Sequence, residues 1–254
     1  MLEIPSHYPP MGSVDWQQES QKCHLKAGML DMDPDFLPIY ERCRHYTMTT
    51  PERMFAVYKA VEYIVFNRIP GTIVECGTWR GGSMMVAACT LLHLGAADRE
   101  LALFDTFEGL PKPDDMVDLD LWGKGHEQIW AEHLVDGHST WGRATLEDVT
   151  ANMTSTGYPP ERFRFVKGMV EDTLPAAAPE EIALLRLDTD WYTSTRHEMV
   201  HLYPRLSMHG VLIVDDYGHL KGARKAVDEY FAEQGVLPLM NRTDYTGRMA
   251  IKTA

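Results

Sequence analysis

Five short apolar runs alternate with stretches of helical period, and this alternation limits the chain to one class of fold. The runs are Thr72–Cys76, 101–104, 163–166, Ile182–Leu187 and 211–214; helical patterns cover 83–94, 145–156, 193–205 and 221–234. Runs of this length, bounded by polar residues, read as strands buried on both faces of a parallel sheet. Strands alternating with helices connect through right-handed crossovers and carry helices on both faces. The expected architecture is one α/β domain with a seven-stranded, mostly parallel sheet whose last strand is antiparallel. Its closing hairpin would pair 236–240 with 248–252 across the turn signal Asp244-Tyr245-Thr246-Gly247.

Residues 1–50 show no clear period until 36–44 and read as an arm or lid with one or two short helices. Domain residues 51–254 then open on a helix, with Thr50 as N-cap, Pro51 in the first turn, and an apolar face of Phe55, Val57, Tyr58, Val61, Ile64 and Val65. One segment, 108–143, is too long for a strand-to-helix connection, which takes about 2–6 residues. It carries Trp122, Trp130, Trp141, His126, His133 and His138 and reads as a lid or substrate pocket, or else as a surface excursion.

The formal charge of −13 argues against nucleic acid as a partner, because phosphates are repelled. No run approaches the roughly 20 apolar residues that span a membrane. The start, Met1-Leu2-Glu3-Ile4-Pro5, lacks a basic region followed by an apolar stretch, so no signal peptide is expected. Cys23, Cys43, Cys76 and Cys89 lack metal-ligand spacing and read as reduced thiols of a cytoplasmic protein.

Chemistry collects at the strand ends. After the first strand comes Glu75-Cys76-Gly77-Thr78-Trp79-Arg80-Gly81-Gly82-Ser83, a turn that lets backbone approach a ligand before a helix N-terminus. Glu75 and Trp79 stand where the dinucleotide fingerprint requires glycine, so a pyrophosphate is disfavoured. An acid beside free N–H groups suits S-adenosylmethionine, with its ammonium, sulfonium and carboxylate. Asp105, ending the second strand, suits ribose hydroxyls or a turn. Gly168 and Met169 can line an adenine, and Asp172 can accept from its amine or cap the next helix.

The fourth and fifth strands end in Asp188-Thr189-Asp190 and Asp215-Asp216. Ligands bind beyond the carboxyl ends of such strands, and four carboxylates meeting there call for a cation. Hard oxygen donors favour Mg²⁺, with Asp188, Asp215 and Asp216 as ligands. Asp190 is then free to act as general base on a hydroxyl. Each aspartate taken singly also reads as a helix N-cap.

The loop 75–83, Phe104-Asp105-Thr106-Phe107-Glu108-Gly109-Leu110-Pro111, Leu187-Asp188-Thr189-Asp190, Tyr203-Pro204-Arg205-Leu206 and Val214-Asp215-Asp216-Tyr217 together resemble the macrocin O-methyltransferase family. That family includes sugar methyltransferases of macrolide, aminocoumarin and enediyne pathways. The resemblance spans roughly 36–252 and implies a class I methyltransferase fold that uses S-adenosylmethionine and Mg²⁺. It implies the same metal ligands and base. For the cofactor it implies Glu75 and Gly77 at the methionine part and Asp105 at the ribose, with Thr78, Arg80, Gly81, Ser83, Thr106 and Phe107 beside them. Tyr46-Thr47-Met48-Thr49 matches a lead-in segment that closes over the cofactor, which brings in Thr47 and Met48.

The expected acceptor is a small molecule or oligosaccharide, most plausibly a sugar, contacted by Trp122, His138, Trp141 and Tyr217. A second copy of the chain, as a dimer, is the other expected partner. Three competing readings stay open: a catechol methyltransferase, a glycosyltransferase using Asp188-Thr189-Asp190, and a non-catalytic binding module. His197-Glu198-Met199-Val200-His201 fits the zinc-protease H-E-x-x-H pattern, but reads as a solvated helix face.

Overall fold

The computed structural model describes residues 28–253, so Cys23 and the rest of 1–27 lie outside the described residues. Helices α1 (Phe36–Cys43) and α2 (Pro51–Phe66) precede β1 (Thr72–Cys76), α3 (Gly82–His93) and β2 (Leu101–Asp105). The insertion holds α4 (Glu127–Glu132), β3 (Leu134–Val135) and β4 (His138–Ser139). Then come α5 (Leu146–Ser155), β5 (Phe163–Lys167), α6 (Val170–Thr173), β6 (Ile182–Leu187) and α7 (Tyr192–His201). The chain ends with β7 (Leu206–Val214), α8 (Lys221–Gln234), β8 (Asn241–Arg242) and β9 (Arg248–Ile251).

Seven strands form one sheet in the order β5-β2-β1-β6-β7-β9-β8, parallel through β7, with β9 antiparallel to β7. Side chains alternate across it, as strand geometry requires. Ile73, Leu103, Leu184 and Ile213 face Phe36, Tyr58, Ile64 and Leu91 of α1, α2 and α3. Val74, Phe104, Leu185 and Val214 face Met199, Val227 and Phe231 of α7 and α8. The part of the expected arm around α1 is therefore built into the core, through Phe36, Ile39 and Cys43.

Three boundaries depart from the sequence pattern. The hairpin strand is Asn241–Arg242 rather than 236–240, because Gly235 turns left-handed (φ 66°) and Val236 N–H bonds back to Phe231. Residues 236–240 then run over the surface, with Leu237 98% exposed. α7 stops at His201, and Pro204, lacking an N–H, sits in a short 3₁₀ turn, Tyr203–Arg205. β7 starts at Leu206, ahead of a bulge opposite Ile182–Leu184 that contains His209 at φ 65°.

The insertion is docked, not loose. Lys221 N–H donates to Leu119 carbonyl at 2.8 Å, Tyr192 N–H to Asp118 Oδ1 at 2.7 Å, and Asp120 bridges Leu220. Trp191 Nε1 and Trp130 Nε1 donate to the Pro111 and Leu110 carbonyls at 3.0 and 2.9 Å. Among the described residues, no helix is long and apolar enough to cross a membrane.

Candidate active site

The site grows out of one face of the sheet. On β1, β2, β6 and β7 the apolar residues Ile73, Leu103, Leu184 and Ile213 share a face, and two residues further on stand Glu75, Asp105, Arg186 and Asp215. With period two, each strand passes from core to charge as it nears its carboxyl end. A cleft of about 410 Å³ opens there, floored by these residues and Asp188, and walled by Thr47, Met48, Thr78, Leu110, Pro111 and His219.

Two glycines let backbones meet at its base. A Cβ on Gly77 (φ 79°) would lie 2.0 Å from the Asp188 carbonyl oxygen, and one on Gly82 2.5 Å from that of Tyr46. The loop between them is pinned by Asp105, whose carboxylate accepts from Thr78, Trp79 and Phe107 N–H groups at 2.6, 3.2 and 2.7 Å. Burial, opposed by these bonds, raises the pKa of Asp105.

Arg186 is the hub of the floor. It is buried, faces Glu75 across the β1–β6 ladder, and donates to Glu75 at 2.6 Å, to Asp188 at 2.7 Å and to Asp215. Arg53, from the first turn of α2, pairs with the other oxygen of Asp215 and lies 3.1 Å from Asp244 in the β8–β9 turn. Five acids (Glu75, Asp188, Asp190, Asp215, Asp216) thus share two guanidiniums. Burial first, and neighbouring carboxylates next, push Asp188 and Asp190 well above the ordinary range and Asp216 up to about 6. Burial lifts Glu75 to about 7, against the pull of Arg186.

This arrangement fits a divalent cation. Asp188, Asp215 and Asp216 offer oxygens that all lie within 4.8 Å of one another, and oxygens alone suit Mg²⁺. Asp190, at φ 70°, is hydrogen-bonded to Asp216, so it too faces the cluster. On the donor side, Glu75 Oε2 is buried without a partner, an acceptor ready for an ammonium.

Of the expected site residues, Thr47, Met48, Glu75, Gly77, Thr78, Ser83, Asp105, Thr106, Gly168, Met169 and the four aspartates line this one cleft. Others do not. Arg80 turns its guanidinium to Asp148 at 2.8 and 3.0 Å and stacks over Tyr46. Gly81 caps α3 in the left-handed region, and the Phe107 ring is in the core. Asp172 is exposed in the first turn of α6 and caps nothing; its neighbour Glu171 lines the cleft instead, with a buried, unpartnered Oε2.

On the expected acceptor side, Tyr217 bonds Asp228 at 2.6 Å and lies between Arg224 and Arg248, and Trp141 packs with His126, His133 and Trp191. Neither lines the cleft. Nor does Trp122, which packs edge-on against the cleft residue His219, and the His138 side chain lies outside the described residues. The H-E-x-x-H helix is not a solvated face throughout: Glu198 is fully buried. His197 and His201 pack tilted against each other, and neither joins a metal-sized group among the described residues.

Sequence reasoning passed over Arg53, Arg186, Glu171 and His219. Only Arg186 left a local signal, a lone charge inside an apolar run at the parity of Asp188.

A parallel sheet closed by an antiparallel strand, with a glycine loop after β1, an acid ending β2 and the cleft above them, defines the class I S-adenosylmethionine-dependent O-methyltransferases. Residues 37–251 match the macrocin-O-methyltransferase (TylF) family, and the chain belongs to that family. It is 32% identical over 220 residues to the 8-demethyl-8-(2,3-dimethoxy-α-L-rhamnosyl)-tetracenomycin-C 4′-O-methyltransferase of Streptomyces olivaceus, covering 87% of this chain and 80% of that one. It is 33% identical to the mycinamicin III 3″-O-methyltransferase of Micromonospora griseorubida, covering 75% and 72%. The solved structure of the O-methyltransferase NovP superposes with a TM-score of 0.71 at 27% identity, over 94% of this chain and 99% of that one. Membership sets aside the glycosyltransferase and non-catalytic readings.

Proposed function

We propose that this enzyme methylates a sugar hydroxyl of a glycosylated natural product or oligosaccharide, with Mg²⁺ held by Asp188, Asp215 and Asp216 and with Asp190 as general base. The observation that carries the reading is one cleft lined both by a glycine loop suited to the donor and by four aspartates suited to a hydroxyl. The relative from S. olivaceus, named for a rhamnosyl-tetracenomycin, supports a sugar as acceptor.

S-adenosylmethionine supplies an electrophilic methyl group. Glu75, with its free Oε2, takes the donor's ammonium; Gly82 N–H is held by the Tyr46 carbonyl at 2.9 Å, which leaves the N–H of Ser83, the next residue of α3 and part of the cleft wall, for the donor's carboxylate. Asp105 Oδ2 is taken by the N–H groups of Thr78 and Trp79 and by the Thr78 hydroxyl, whereas Oδ1 accepts only from Phe107 N–H and keeps a lone pair for a ribose hydroxyl. When bound, a divalent cation lowers the proton affinity of the carboxylates and of the acceptor hydroxyl. Asp190 takes the hydroxyl proton on a carboxylate oxygen while the walls hold the oxygen in line with the methyl group. Thr47 and Met48 cover the donor from the α2 side.

The reading extends to a cytoplasmic dimer, for which Leu237 and Leu239, 98% and 80% exposed, offer apolar surface; light scattering reads the mass.

The test is methyl transfer to glycosides and to catechol with and without Mg²⁺. Asp190→Asn should lose about 10²–10⁴-fold in turnover with S-adenosylhomocysteine affinity kept. Unchanged turnover would remove Asp190 as the base. Full activity of Asp215→Ala in excess chelator would remove the metal, and transfer confined to catechol would remove the sugar.

A further inference from the structure

His219 follows the acid pair of β7 by three residues and lines the same cleft. Its backbone N–H is held by the Asp216 carbonyl at 3.0 Å, which ties its backbone to the turn that carries the acid pair. The ring nitrogen Nδ1 is buried and has no hydrogen-bond partner. A buried polar atom left so is costly unless a ligand completes it.

Aromatic rings flank it on two sides. Trp122 meets its edge at 5.9 Å between centroids, and Tyr245 does so at the same distance. Trp122 is 75% exposed, an unusual state for an indole, and it is not there by looseness. Its backbone N–H donates to Asp120 Oδ1 at 2.9 Å, and Asp120 is bridged to Leu220, the neighbour of His219. The insertion is thus latched to the loop that follows the metal-binding acids, and it sets one open aromatic face against the cleft residue His219.

A sugar ring matches this pair. Its hydroxyls both donate and accept, so they satisfy Nδ1 whether it donates or accepts, and its C–H face packs on an indole. We propose that His219 and Trp122 form the acceptor subsite. His219 bonds the hydroxyl next to the one methylated, and Trp122 covers the apolar face of the sugar. This inference rests on the sugar-methylation reading above and names the residues that recognise the sugar.

The experiment uses the full chain with Mg²⁺, p-nitrophenyl α-L-rhamnoside as probe and catechol as the contrasting acceptor. Binding is read by saturation-transfer NMR in the presence of S-adenosylhomocysteine, and turnover by product mass. His219→Ala and Trp122→Ala should each raise the rhamnoside KM on the order of tenfold, the effect of one lost neutral hydrogen bond or contact face. The kcat and the KM for S-adenosylmethionine should hold within about threefold. His219→Gln, which keeps a donor and an acceptor, should recover part of the loss.

A wild type that methylates the rhamnoside, with variants whose KM is unchanged, overturns the subsite and leaves the sugar reading standing. A wild type that methylates catechol but neither binds nor methylates the rhamnoside overturns both. Rhamnoside that binds wild type and His219→Ala alike in the NMR experiment overturns the role of His219 even without turnover.

Discussion

Glu198 sits on α7 beneath the Asp188-Thr189-Asp190 loop, fully buried, with Oε1 accepting from Thr189 Oγ1 at 2.8 Å and the Cys76 thiol against it. Its Oε2 has no partner. Burial, reinforced by Glu171 and only partly opposed by Thr189 and Cys76, raises its pKa from 4.5 to about 8. The native state therefore keeps a proton that the unfolded chain gives up across that window. By linkage, the contribution of Glu198 to stability falls as pH rises from about 4.5 to about 8 and is level on either side. At 1.36 kcal/mol for each factor of ten in proton affinity, the penalty above pH 8 is roughly 3–5 kcal/mol.

Glu198→Gln keeps the shape and the oxygen that Thr189 needs, and removes the ionisation. The variant should match wild type near pH 5 and melt higher at pH 8.5. For a domain of this size each kcal/mol moves Tm by about 2–4 °C, which gives a gap of roughly 6–20 °C. Thermal melts by circular dichroism at half-unit steps from pH 5 to 8.5 read it directly. A gap that stays constant with pH, or widens on acidification, would refute the reasoning, because neither can come from a carboxyl that is neutral when folded.

Arg186→Met should strand Glu75, Asp188 and Asp215 together, at a cost of about 3–5 kcal/mol for a buried charge network that loses one sign; chemical denaturation at pH 7.5 measures it, and a cost under about 1 kcal/mol would show that the acids do not depend on it. Gly77→Ala must part the ends of β1 and β6, so S-adenosylhomocysteine affinity should drop at least about tenfold by calorimetry; wild-type affinity would mean the loop yields without moving the floor.

The alternation of strands and helices was legible because buried parallel strands must be continuously apolar, and no other element of that length is. The acids were legible for a related reason: a charge placed directly after such a run has to sit at the sheet's carboxyl edge. What the sequence hides is pairing across distance. Arg53 reads as a surface residue in a first helical turn, and nothing local says that a residue 162 positions later, Asp215, will meet it. His219 reads as one more loop histidine until the insertion is seen latched to Leu220.

Glu198 was masked by a stronger pattern. The histidines on either side drew attention to a zinc motif, while its burial depends on how α7 packs against β1 and its Cys76. Arg186 is the instructive case, because its signal was present. An arginine within Ile182–Leu187, two residues before Asp188, can be buried only if several acids surround it. Parity places it on the face of Glu75 and Asp215, so the same period-two rule that predicts the core also predicts the hub of the site.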